Sequence, residues 1–457
     1  MKADVLIKGG KIFTPGGIFE ASLVVDGGEI AAFTTEPELV QADLIVDVKG
    51  GLILPGVMDS HVHFREPGLT HKEDFSTGSQ AAAFGGVTTV MDMPNTKPPT
   101  VDGQAFQAKK EAAEKKAYVD FGLWGGISSD NLAEAPSLKK AGAVGVKMMA
   151  SARERAEGAS IFSVPESGWE VLAILKTAVS SQLLVGVHAE NSRLAAQLEN
   201  RLRQEGRRDP AAHSEAKPSP LEAAEAARVL LTAKMVGARL HLVHATSRES
   251  VGLVRWAKAS GFGVTAETCP HYLLLTQENL RTLGPAAKVN PPLRSREDGE
   301  ALWEALAEGT VDTLASDHAP HTPEEKERGW RDFWEAPSGF CGVETLLPLM
   351  LTQVNRGRLS LEKLVQLLSE NPARIFGLYP RKGAVQVGAE ADLVVVDMKR
   401  ERLIRVEELH SRGKVSPWHG WRVRGVPVMT FVRGSLVVEE GVLVGKPGWG
   451  RMVKPQV

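Results

Sequence analysis

Ile53-Leu54-Pro55-Gly56-Val57-Met58-Asp59-Ser60-His61-Val62-His63-Phe64-Arg65 is an apolar run that ends in two histidines and an arginine. The apolar part, Ile53–Met58, reads as a strand buried on both faces, the kind that shows continuous rather than alternating hydrophobicity. Residues two apart on a strand point to the same face. His61 and His63 therefore present two imidazoles side by side, which is how a chain offers two nitrogen ligands to one metal ion. Arg65 shares their parity, where a bidentate cation can hold a carboxylate. A lone His-x-His also occurs as a pair of ordinary core histidines, so the other apolar runs have to decide.

Seven further runs follow: Val87–Met91, Val119–Leu123, Ala143–Met148, Leu183–Val187, Leu240–Val243, Gly263–Glu267 and Asp312–Ala315. Between them lie Ala/Glu/Lys/Leu-rich segments with helical periodicity, among them Asp74–Phe84, Gly103–Lys116, Gly168–Ser180, Leu221–Val236 and Ser247–Ser260. Eight strand-then-helix units predict an α/β fold, a (β/α)8 TIM-like barrel. Segments 150–166 and 322–340 carry no clear pattern and read as loops over the barrel mouth, with Trp334 as a cover for the pocket. Both ends differ from this middle. Val5–Lys8, Ala21–Val25 and Leu44–Asp47, then Ala391–Val396, Val428–Val432 and Ser435–Val438, are β-branched runs punctuated by glycine. They predict a small β-sandwich built from both termini: residues 1–54 as its first part, 55–380 as the barrel and 381–457 as its second part.

Composition excludes several classes. Of the 457 residues 43% are apolar and 24% charged, with a formal net charge of −2, as in a globular protein with no polyanion partner. Two cysteines, Cys269 and Cys341, exclude a disulfide framework. The N-terminus lacks a signal-peptide pattern, and no apolar stretch approaches the roughly 20 residues that span a bilayer. The expectation is a cytoplasmic protein that binds neither nucleic acid nor membrane.

In such a barrel, chemistry belongs at the C-terminal ends of the strands. The first strand runs into His61 and His63, the second into Met93-Pro94-Asn95-Thr96, and the fourth carries Lys147. The fifth ends at His188, the sixth at His244, the seventh at Cys269-Pro270-His271-Tyr272, and the eighth in Ser316-Asp317-His318-Ala319-Pro320-His321. Each has an ordinary alternative, a hydrogen-bonded core histidine or a helix-capping aspartate. One shared site explains all of them together. Lys147, within an apolar run, either snorkels its head to the rim or stays desolvated as a neutral, nucleophilic amine. A neutral amine can capture carbon dioxide, and the resulting carbamate can bridge two metals. His213, His410 and His419 lie off the strand ends and read as surface residues, and Cys269 reads as packing.

Asp59-Ser60-His61-Val62-His63-Phe64-Arg65-Glu66-Pro67-Gly68, Met93-Pro94-Asn95-Thr96 and Ser316-Asp317-His318-Ala319-Pro320-His321-Thr322, with Gly339–Thr345 and Asn371-Pro372-Ala373, resemble the amidohydrolase superfamily. Within it the chain is most similar to the cyclic amidases, dihydroorotase first, over essentially its whole length. The resemblance implies two Zn2+ ions bridged by carbamylated Lys147 and a hydroxide. His61, His63 and Asp317 would hold one ion, and His188 and His244 the other. Asp317 would be the catalytic proton shuttle, while Arg65 and Asn95 would grip a substrate carboxylate, with Asn290 and His321 in the same substrate-binding pocket. It further implies a small cyclic amide as substrate, a homo-oligomer (dimer or tetramer), and the reversible conversion of dihydroorotate to N-carbamoyl-L-aspartate in pyrimidine biosynthesis.

Lysine at position 147 departs from one bacterial dihydroorotase pattern, and Gly122–Gly126, Asp332-Phe333-Trp334 and Lys414-Val415-Ser416-Pro417 are allantoinase-like. Allantoinase or hydantoinase/dihydropyrimidinase is therefore the alternative, and a non-catalytic scaffold relative is more remote. Arg65 and Asn95 tip the expectation to dihydroorotate, because a hydantoin without a carboxylate would leave that cation unpaired.

Overall fold

The computed structural model describes residues 2–149, 165 and 167–455. Eight parallel strands form the centre: Val57–Val62, Val87–Asp92, Asp120–Leu123, Val146–Met149, Val185–His188, Leu240–Leu242, Val264–Thr268 and Thr313–Leu314. Each pairs in parallel with the next. Between the third and fourth the ladder is carried by Gly125–Gly126, just beyond the third strand's end. The ring closes where Val62 bridges His318 and the His63 amide donates to the His318 carbonyl at 2.7 Å. The barrel is thus the expected one. Its strands are short, and the first two are buried along their entire length.

The helices lie between the strands and start where capping side chains satisfy their first amides. Asp74 caps Phe75–Phe84 by accepting from the Thr77 amide, and Asp102 caps Gly103–Lys116 through Ala105. Ser167 with Glu170, and Ser295 with Asp298, form capping boxes. After the fifth strand the chain inserts two extra helices, Ser192–Gln204 and Pro210–Ala216, before the long helix Ser219–Val236.

Both termini contribute to a nine-stranded sheet, in which Leu52–Pro55 lies between Lys2–Thr14 and Leu393–Leu403. Lys2–Thr14 breaks register between Ile7 and Gly10. Its first half pairs with Gln41–Asp47 and its second half with Leu52-Ile53, so one strand serves both layers. Between the layers lie Val5, Ile7, Leu23, Val25, Ile53, Leu393, Val395 and Phe431. This is the expected sandwich of both ends.

Two expectations change. The run Ile53–Met58 is not one strand: Leu52–Pro55 belongs to the terminal sheet, and the barrel begins at Val57. Gly56 makes the break, where any Cβ would overlap the Thr88 side chain. Segment 322–340 is not featureless. It holds a helix, Pro323–Glu327, and two 3-10 turns, Arg328–Trp330 and Phe333–Glu335, each too short for periodicity to reveal. Segment 150–166, apart from Pro165, lies outside the described residues. Among the described residues no helix is long and apolar enough to cross a membrane.

A buried ion network joins barrel and sheet. The Lys382 ammonium meets Asp120 on the third barrel strand at 2.7 Å, Glu390 at 2.7 Å, and Asp392. Arg433 also reaches Asp120, and the Arg433 amide donates to Asp392 at 2.8 Å. Removing one member of such a network leaves the others buried and uncompensated. Lys382→Met is expected to cost about 3–5 kcal/mol, read as a lowered urea midpoint with unchanged slope. A midpoint within error of the parent would show that the network adds nothing to stability.

Candidate active site

The strand ends bring the expected residues together. His61 Nε2 and His63 Nε2 each lie 3.4 Å from Asp317 Oδ1. The three offer ligand atoms all within 4.8 Å of one another. Beside them His188 Nδ1 faces His244 Nε2 at 2.9 Å, and the His61 and His244 rings are 5.4 Å apart. Lys147 is 2% exposed. It stands opposite Gly186 on the neighbouring strand, where a Cβ would press on the Trp124 ring. Its charge acts on His61, His188, His244 and Asp317.

The backbone pays for this convergence. Arg65, His244 and Asp317 all have left-handed φ, at 63°, 36° and 48°. Non-glycine residues adopt that conformation at a cost and concentrate it at functional sites.

Burial dominates the electrostatics. It lowers the Lys147 amine to about 8, against the pull of Glu267, Asp317 and Cys269. It raises the Asp317 carboxyl to about 8, against the opposing influence of Lys147. It lowers His61 to about 4 and holds His188 and His244 below the usual imidazole range. Neutral imidazoles and a readily deprotonated buried amine are the forms that bind metal and carbon dioxide.

The residues expected to bind substrate divide into two places. Arg65 Nε donates to the Pro320 carbonyl at 3.2 Å, and its Nη2 lies 3.1 Å from His321 Nε2. Its charge also acts on Asp317 and Asp92. The cation is thus engaged by the chain itself, which removes the premise that a hydantoin would leave it unpaired. Asn95 is buried, and its Oδ1 has no hydrogen-bond partner among the described residues. Asn290 sits elsewhere on the rim, accepting from Lys217 Nζ at 3.0 Å, and that ammonium also pairs with Glu190 at 3.3 Å.

Of the histidines read as surface residues two are corrected, while His419 and the packing role of Cys269 hold. His213 is not at the surface: it is 1% exposed and its Nε2 donates to the Val289 carbonyl at 3.0 Å. His410 is half-buried, stacked 3.4 Å from Phe84 and bonded to Glu344. His419 is exposed. Trp334 packs with Leu202, Ala212 and Ala216 on the two inserted helices, with its Nε1 donating to the Arg207 carbonyl at 2.8 Å. Cys269 is buried among the core residues.

Two features escaped the sequence reading. Glu267, the last residue assigned to the seventh strand, lies beneath the histidines with its Oε1 2.9 Å from His61 Nδ1. A carboxylate in the middle of a buried apolar strand was the available signal. The other is residues 409–416, within the connection between strands Leu393–Leu403 and Arg422–Val432 of the terminal sheet, which reach the barrel mouth. Arg412 binds Asp74 at 2.7 Å, the Cys341 amide donates to Val415 at 2.8 Å, and Ser416 donates to the Cys341 carbonyl at 2.8 Å.

An Amidohydrolase family description matches residues 52–437. The chain belongs to the amidohydrolase family. It is 39% identical to an L-hydantoinase of Paenarthrobacter aurescens, over 98% of each chain. It is 39% identical to an allantoinase of Rubrobacter xylanophilus, over 99% of this chain and 98% of that one. It is 37% identical to a dihydroorotase of Methanosarcina mazei, over 99% and 98%. A solved L-hydantoinase (dihydropyrimidinase) from Arthrobacter aurescens superposes with TM-score 0.95 at 39% identity, covering 99% of this chain and 100% of that one. Like these relatives, the chain is a cyclic amidohydrolase, cleaving a C–N bond of a cyclic amide. Dihydroorotase is not singled out among them: the hydantoinase and allantoinase stand ahead of it.

In this member of the family Lys288 organises one side of the mouth. Its Nζ donates to the carbonyls of Phe333 at 2.9 Å, Trp334 at 3.4 Å and Ala336 at 2.7 Å. Bonds from a charged donor are each worth about 1.5–3 kcal/mol. Lys288→Met is expected to speed tryptic cleavage after Arg328 and Arg331 by about tenfold or more, through local opening. Cleavage at the parent rate would mean that this segment is held by other contacts.

Proposed function

We propose that the chain hydrolyses the ring amide of a 5-substituted hydantoin, a class that includes allantoin, at two divalent metal ions, zinc being the expected metal. The observation that carries this reading is the clustering of His61, His63 and Asp317 beside the His188–His244 pair, with the buried Lys147 amine acting on His61, His188, His244 and Asp317. The donor set fits metal. Glu267 faces Nδ1 of His61, which leaves Nε2 for a ligand, as in carboxylate–histidine–metal triads. His61, His63 and Asp317 would hold one ion and His188 and His244 the other, with Lys147, as a carbamate, reaching both. When bound, the metals would polarise the scissile carbonyl and lower the pKa of a water.

The remaining work falls to side chains. Asp317, with its carboxyl raised to about 8, can hold a proton near neutral pH and deliver it to the ring nitrogen as the C–N bond breaks. The unpartnered Asn95 Oδ1 suits a ring or ureido N–H. Water adds across the amide, and the product is an N-carbamoyl amino acid. The choice of ring rests on the full-length likeness to the L-hydantoinase and allantoinase, and on Arg65 already having partners within the chain. A second reading, dihydroorotate, keeps one observation in its favour: Arg65 and His321 are in contact and could together grip a carboxylate.

Turnover of 5-substituted hydantoins, allantoin and dihydroorotate by one preparation, with its metal content, separates the two. Higher kcat/KM on the hydantoins is expected, with about two metals per chain. A preference for dihydroorotate would transfer the assignment to the second reading. Asp317→Asn is expected to lower kcat by about 10²–10⁴ with the circular dichroism spectrum retained, and near-parental turnover would rule out its role as proton carrier.

A further inference from the structure

Glu267 is fully buried on the seventh strand, yet it is not part of the expected ligand set. Each of its two oxygens reaches both the first strand and the sixth strand or its end. Oε1 faces His61 Nδ1 at 2.9 Å and accepts from the His244 amide at 3.4 Å. Oε2 accepts from Ser60 Oγ and lies 3.4 Å from His241 Nε2, whose other nitrogen is 2.8 Å from Thr265 Oγ1. One carboxylate thus touches a residue of each proposed metal half-site, the side chain of His61 and the backbone of His244. Burial works against its charge, but His61 and His241 outweigh that and hold the carboxyl well below its usual range.

Such a group is costly in a barrel interior unless cations repay it. Its neighbours Ser60, His61, His241 and the His244 amide include no lysine or arginine. Divalent ions held by His61 and His244 above it would supply the opposing charge.

We propose that Glu267 is the positioning residue that ties the two metal half-sites together: it fixes His61 with Nε2 turned to the metal, anchors the backbone of His244, and supplies from below the charge that keeps both ions in place. This rests on the metal-dependent reading given above. Its distinctive consequence is that loss of the charge loosens both ions, although Glu267 ligates neither. A carboxylate that merely packed the barrel would change stability and leave ion retention alone.

The test is chelator-driven metal release from the full chain loaded with zinc, read by a chromophoric chelator, with cobalt-loaded protein as a spectroscopic check. Glu267→Gln keeps the shape and removes the charge. About 10–100-fold faster release of both ions is expected, with an altered cobalt spectrum. The melting temperature of the metal-free variant should stay close to that of the metal-free parent. Ser60→Ala removes only the hydroxyl that steadies Oε2, and about threefold faster release is expected from the loss of that one bond. Should Glu267→Gln fail to fold, Ser60→Ala decides, and release at the parental rate overturns the proposal. Parental release from a folded Glu267→Gln, or release of one ion alone, overturns it too. If the parent chain itself retains no metal, the metal-dependent reading fails, an outcome distinct from any result on the variants.

Discussion

Closure of the barrel is the constraint on which the site depends. His61 and His63 belong to the first strand and Asp317 to the end of the eighth, and only a closed ring makes them neighbours. The seam is stitched at that point. Asp59 Oδ1 accepts from the Ser316 amide at 3.0 Å across 257 residues of sequence, and from the His61 amide at 3.3 Å. Two residues further on each side, the His63 amide donates to the His318 carbonyl. The bonds that close the cylinder and the bonds that aim the ligands are largely the same bonds. A barrel with a displaced seam would have the residues without the site.

The second determinant is dehydration. Lys147, Asp317, Glu267 and the histidines are placed where water is excluded, and each is pushed toward its neutral form unless a partner resists. His61 and His241 hold the Glu267 carboxyl below its usual range, while burial raises Asp317 despite Lys147 and Arg65. Similar carboxylates thus take different protonation states within one cavity, which suits one to carry protons and the other to remain a fixed charge. Asp92 shows a third outcome. It is paired with buried Lys109 at 2.5 Å and accepts from the Phe64 amide between His63 and Arg65, so it serves the geometry of the loop.

Much of this was legible in the chain. Continuous apolar runs ending in polar residues mark parallel strands feeding an active face, and residues from five of those strands meet in space. What stayed hidden has physical causes. A two-residue strand such as Thr313–Leu314 offers no period to detect, and the break at Gly56 lies inside a run that is apolar on both sides. Glu267 looked like part of a strand because hydrogen bonding to other strands is invisible in a linear pattern. His213 looked superficial because it sits on an inserted helix with no counterpart in the simple alternation of strand and helix, and is covered by Val289, Phe333 and Trp334 from distant segments. The contacts that Arg65 makes with Pro320 and His321 were hidden for a related reason: both arrive from the far side of the seam.

The connection at residues 409–416 gives the terminal sheet a part in the barrel's mouth. Arg412 grips the loop after His63, while Val415 and Ser416 bind the segment around Cys341. Gly413 lies so close to the His321 carbonyl that no side chain would fit there. The two domains are consequently not interchangeable modules. A terminal sheet inherited from another lineage would bring its own rim with it, and the shape of the opening would change although no residue of the barrel had. Divergence in this architecture can therefore proceed from outside the catalytic domain, by altering the length or sequence of one connection in a sheet that holds none of the reacting groups.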